Sequence, residues 1–101
     1  MKVVRSNWQG AVLVCGKCSR KVGGGFGENG KTSLAKALRK HLGTKKGRKG
    51  SLGVIETSCL DVCPKKAVVV VNTAHSGVWS VIAEKTPVAD VARALGVARG
   101  N

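Results

Sequence analysis

Tyrosine is missing from this 101-residue chain, and the other aromatics are one phenylalanine and two tryptophans. Trp8, Phe26 and Trp79 are too few and too scattered to make a base-stacking platform for nucleic acid. Acidic residues are nearly as scarce: five, against 18 lysines and arginines, for a formal charge of +13. None of the five form a close pair suited to acid–base catalysis, since Glu56 and Asp61 are separated by the entrance to a cysteine-bearing loop. No Ser-His-Asp or Cys-His arrangement stands out either, so the chain itself is expected to be no enzyme. Long apolar runs are also lacking. "AVLVC" (11–15) falls short of the about 7–15 residues an export signal needs, and nothing approaches the about 20 of a spanning helix. The expected compartment is cytoplasmic, with no membrane partner. There, structural disulfides are rare, and clustered cysteines bind metal or do redox work.

What is present fits one compact domain over 1–101, with residues 1–10 as an N-terminal extension. A chain this short buries only about 60–65% of its unfolded surface, so a metal centre or cross-link would matter to its stability. The positive surface favours anionic partners. Its densest run, "TKKGRKG" (44–50), has its basic residues flanked by the glycines 43 and 50 and reads as a mobile basic loop.

Four short runs have strand character. "GAVLVC" (10–15), "LGVIET" (52–57) and "AVVVVN" (67–72) are apolar and β-branched, and "VWSVIA" (78–83) returns after the turn "TAHSG" as a hairpin partner. The stretch from Cys15 to Gly30 holds six glycines and is predicted to be loop. From Thr32 the pattern changes: Leu34, Leu38 and Leu42 recur every four residues while Lys36, Arg39 and Lys40 face outward. That is an amphipathic helix capped by Thr32 or Ser33 and stopped at Gly43. A second helix starts at Thr86-Pro87 and carries Val88, Val91, Ala92 and Leu95 as its apolar stripe. Strand, helix, strand implies a parallel βαβ unit. The later hairpin adds antiparallel strands, giving a small mixed sheet with flanking helices, an α/β outline of the thioredoxin-like kind.

That outline has a consequence for the cysteines. Cys15 closes the first strand and Cys18 follows it; Cys59 and Cys63 follow the second strand. If the two strands are parallel, their carboxyl ends share one edge of the sheet, where α/β proteins build ligand sites. Four thiolates spaced C-x2-C and C-x3-C can hold a [2Fe–2S] cluster or a tetrahedral Zn2+. Glycines 23–30 would let backbone N–H groups approach the sulfurs, and Lys17, Arg20, Lys21, Lys65 and Lys66 neighbour the cysteines in sequence.

Two motifs compete with this. "GFGENGKT" (25–32) matches the phosphate-binding pattern G-x-x-x-x-G-K-[ST]. It begins ten residues after the first strand ends, however, and no strand ends in a metal-binding aspartate, so a flexible loop covering the metal centre is expected instead. "CGKC" (15–18) matches a thioredoxin-type dithiol, but "SRKVGGGFG" is not expected to supply the helix that such a thiolate needs. His41 reads as a packed or edge residue, His75 as a solvated turn residue, and Trp79 as a core or interface aromatic.

The segment "SCLDVCPKKAVVVVNTAHSGVWSVIAEKTPVADV" (58–91), together with "VLVCGKC" (12–18), resembles the thioredoxin-like [2Fe–2S] ferredoxins. These include the small cluster-bearing subunit of respiratory NADH dehydrogenases and related predicted metal-binding proteins. The match rests on Cys59 and Cys63, the strand Val68–Val71, Trp79 and Thr86-Pro87, and spans 11–96. The resemblance implies a one-electron carrier or redox module whose cluster is held by Cys15, Cys18, Cys59 and Cys63. It also implies a redox partner protein, here one with an acidic docking surface, and a homodimer. In the family the first cysteine pair is set wider than C-x2-C, the 44–50 insertion is missing and the surface is mostly acidic. The alternative is a four-cysteine zinc module whose basic surface contacts nucleic acid.

Overall fold

A computed structural model describes residues 1–43, 50, 52–62 and 64–97. Residues 44–49 of the basic loop, and Cys63, therefore lie outside the described residues. Four strands, β1 (Ala11–Cys15), β2 (Gly53–Thr57), β3 (Ala67–Asn72) and β4 (Ser80–Ala83), form one mixed sheet in the order β2-β1-β3-β4. β1 and β2 run parallel, while β3 is antiparallel to both β1 and β4. Among the described residues three α-helices accompany the sheet: α1 (Gly16–Lys21), α2 (Leu34–Leu42) and α3 (Val88–Leu95). The expected mixed α/β sheet, with its parallel pair and antiparallel hairpin, is what forms.

Cross-strand partners share a face, so the register sorts the core. Val12 pairs with Val54, Val14 with Val70 and Val68 with Ile82, and all six are buried. They join one cluster with Leu34, Leu38 and Leu42 of α2 and Val91 and Leu95 of α3, the two predicted apolar stripes. The opposite face carries Leu13, Ile55, Val69, Val71 and Val81. Its central positions Val69 and Val71 are buried, whereas Ile55 and Val81 on the outer strands are partly exposed. Trp8 covers one corner of this face. Its indole ring lies against Gly53, where a β-carbon would collide with it, and the Gly53 N–H donates to the Gly10 carbonyl (3.1 Å).

Capping follows the sequence signals. Ser33 caps α2, its Oγ accepting the Lys36 N–H at 3.4 Å, and Gly43 ends the helix in the left-handed conformation with φ 64°. Gly96 ends α3 in the same way with φ 70°. Arg39 fastens α2 to the sheet: its Nε and Nη2 donate to the Val54 carbonyl at 3.1 and 2.7 Å. Arg39→Ala leaves that carbonyl with one fewer partner and should cost about 1–3 kcal/mol. Arg39→Lys should recover less than half of this, because one ammonium cannot reproduce the two-pronged contact. Urea unfolding midpoints check both.

His41, expected packed or at an edge, is exposed. One expectation is corrected. The stretch after β1 is not all loop: Gly16–Lys21 is a helix. The glycines that break the chain cluster at 23, 24, 25 and 27, beyond this helix, and only Gly16 lies within it. There glycine is needed for close approach, because a β-carbon would stand 2.6 Å from the Thr57 carbonyl oxygen of β2. Basic residues Arg20 and Lys21 complement the dipole of the last turn.

Candidate metal centre

The parallel register places Cys15 opposite Thr57, two residues before Cys59. The chain leaving β2 then folds over the turn leaving β1. Lys17 N–H donates to the Ser58 carbonyl (3.2 Å), and the Cys18 thiol reaches the Val62 carbonyl (Sγ–O 3.7 Å). The expected meeting of the two cysteine-bearing segments is therefore present at the level of the loops.

Cys15 is fully buried at the N-cap of α1, and Cys18 is buried within the helix. Burial pushes the Cys15 thiol up. The N–H groups of Cys18 and Leu60, the Cys18 thiol and the Lys17 N–H act the other way and leave it below the ordinary thiol value. The same donors favour the thiolate over the thiol, and the thiolate is the form that ligates metal. The amides that reach it come from 17, 18 and 60, not from glycines 23–30 as the composition suggests. No sequence signal marks a backbone N–H such as that of Leu60, because it depends on how the loop lies over the sheet edge.

Cys59 differs. It is exposed and engages Asp61, accepting the Asp61 N–H at 3.4 Å, with its thiol 4.0 Å from Oδ1. Asp61 adopts a left-handed conformation (φ 61°). Among the described residues no three of histidine, cysteine, aspartate and glutamate converge into a metal-holding group. Two thiols point inward and the third lies at the surface, so a shared centre requires Cys59 to leave Asp61. Cys63, the fourth predicted ligand, lies outside the described residues.

The glycine-rich "GFGENGKT" segment is a closed hairpin. Phe26 and Thr32 exchange backbone bonds (3.0 and 2.9 Å), Gly24 N–H donates to Ser19 O (3.0 Å), Gly30 N–H to Gly27 O (3.2 Å) and Lys31 N–H to Asn29 Oδ1 (2.9 Å). The amides of Phe26, Gly30, Lys31 and Thr32 are thus committed inside the loop and not offered to a phosphate. Phe26, fully buried, pins the hairpin to the core. In the expected loop the backbone thus satisfies much of its own hydrogen bonding. The cleft beside it, about 500 Å³, is lined by Glu28, Asn29, Lys40 and His41, all of them exposed. His75 is also exposed, and Trp79 is half-exposed with its Nε1 donating to the Ser76 carbonyl (2.9 Å).

"CGKC" also gains a helix, contrary to expectation: Cys15 caps α1 and Cys18 sits within its first turn. No helix among the described residues is long and apolar enough to cross a membrane. Compared with family models, with curated proteins and with solved structures, the chain matches none.

Proposed function

We propose that the chain is a thioredoxin-like ferredoxin, a non-enzymatic one-electron carrier whose [2Fe–2S] cluster is held by Cys15, Cys18, Cys59 and Cys63. The observation that carries this is the seating of the 58–62 segment on the Cys15–Cys18 turn, with backbone groups of that segment reaching both sulfurs. The donor set fits in kind: it is all sulfur, and backbone N–H groups beside Cys15 favour its thiolate form. When bound, such a cluster accepts and returns single electrons. The protein's part is to supply N–H donors from residues 17, 18 and 60 beside a ligand sulfur, which stabilise added negative charge. Burial of Cys15 and Cys18 keeps water from that side of the site. Cys59 and Val62, both exposed, would leave the other side of the site open to a partner.

A second use of the same sulfurs is favoured by Cys15 at the helix N-cap: a Cys15–Cys18 dithiol that passes two electrons and two protons to a substrate disulfide, reducing it to two thiols as its own disulfide forms. Anaerobic purification with metal analysis and an absorption spectrum separates these. Two iron atoms per chain with a red-brown colour bleached by dithionite support the cluster. A colourless protein with one zinc makes this a structural thiolate site, and a colourless metal-free protein titrating two electrons makes it a dithiol. Either colourless result overturns the ferredoxin.

A further inference from the structure

The sulfur site is framed by positive charge. Lys17, Arg20 and Lys21 lie at i, i+3 and i+4 of α1, exposed on one helix face. Lys21 meets Lys65 and Lys66 across a cleft of about 610 Å³ that also includes Val22, Pro64 and Glu84. Among the described residues the sole ion pair is Arg93–Asp90 at 2.6 Å, so no described carboxylate pairs with a cation of this rim.

Two lysines beside the cleft adopt a backbone conformation that glycine or asparagine would take more easily. Lys66 has φ 52° and Lys85 has φ 68°. Each turn is held in place: the Lys66 carbonyl accepts the Glu84 N–H (2.9 Å), and the Lys85 N–H donates to Gly25 O (2.7 Å). A left-handed L-residue carries about 1–2 kcal/mol of strain, and strain of this kind concentrates where a side chain serves function. The sulfur loop adjoining these cations adds apolar surface, with Val62 exposed, its carbonyl on Cys18, and Leu60 half-buried beside exposed Cys59. Apolar surface next to a charged patch is what protein-docking surfaces combine.

We propose that this rim, Lys17, Arg20, Lys21, Lys65 and Lys66, together with the adjoining Val62, docks an acidic protein that exchanges electrons with the sulfur site. The partner's role rests on the ferredoxin reading, while the docking surface itself rests only on charge and shape. Nucleic acid fits less well, because no aromatic side chain faces the rim. Phe26 is buried, Trp8 lies on Gly53, and Trp79 is bonded to Ser76 at the approach to β4.

The test titrates poly-L-glutamate, standing in for an acidic polypeptide, into the purified full-length chain by calorimetry at low and physiological salt. An oligothymidylate of matched charge forms the second arm. Lys65→Glu/Lys66→Glu should weaken polyglutamate binding by about tenfold or more. Lys36→Glu/Lys40→Glu, the same charge change on α2, should weaken it less than about threefold. Lys66→Gly, which relieves the left-handed strain, should hold or raise the melting temperature and still lose affinity, an outcome a purely structural lysine cannot give. Equal losses at both sites, or tighter binding of oligothymidylate at the rim, overturn the proposal. Absorption spectra of the same samples keep the two conclusions apart: rim-localised binding by a colourless protein removes the ferredoxin and leaves the docking surface standing.

Discussion

Gly24→Ala should destabilise the fold by about 3 kcal/mol or more, lowering the melting temperature by about 12–24 °C. Two effects add. The backbone at Gly24 has φ 89°, which costs an alanine about 1–2 kcal/mol. A β-carbon there would also collide with the Lys31 carbonyl and come within 3.0 Å of the Thr32 carbonyl carbon. Neither neighbour can yield cheaply, because residues 31 and 32 form the return limb of the hairpin that buries Phe26. Gly30→Ala provides the control: φ is 68°, but nothing lies within 4 Å of the added carbon. It should cost only the conformational share, about 1–2 kcal/mol. Equal melting temperatures for the two variants would show that the close approach at Gly24 is not what the glycine serves.

The second large effect is chemical. Cys15→Ser, Cys18→Ser, Cys59→Ser and Cys63→Ser should each remove most bound iron and abolish or blue-shift the visible absorption. Burial makes the first two harder to interpret, since a serine hydroxyl placed at either position must find a partner or cost about 1–3 kcal/mol. Cys59 has no such ambiguity. Its thiol is exposed and, among the described residues, bonded locally to Asp61, so Cys59→Ser should leave the metal-free protein's stability in urea within about 0.5 kcal/mol of the parent while losing the colour. Unchanged spectra in both Cys59→Ser and Cys63→Ser would end the cluster assignment.

Much of the framework is legible because it is local. The leucine repeat from 34 to 42, Ser33 before it and Gly43 after it state α2 and its caps. Four consecutive valines state a strand covered on both faces, which is what β3 is. The parallel pairing that brings residues 15 and 57 side by side is also readable, because the order strand–helix–strand restricts topology. What escapes is either short or tertiary. A six-residue helix next to a glycine run shows no periodicity, and α1 forms because Gly16 can press against the Thr57 carbonyl, a contact no local pattern encodes. At the sulfurs, residue type announces Cys15, Cys18, Cys59 and Cys63 as candidates. It cannot announce that Leu60 and Val62 serve through their backbones, nor that Cys59 turns outward. The phosphate-loop motif misleads for a related reason: a pattern of glycines specifies conformational freedom, and here Phe26 and Asn29 direct that freedom into internal hydrogen bonds.

The seat of Trp8 on Gly53 equips the molecule with an optical gauge at one corner of the sheet. The other indole, Trp79, is already 45% open to solvent, so its emission should change little when β2 comes loose. In a Trp79→Phe background the remaining fluorescence follows residues 1–10 alone. Peeling of the amino-terminal arm could then be timed separately from melting of the whole sheet.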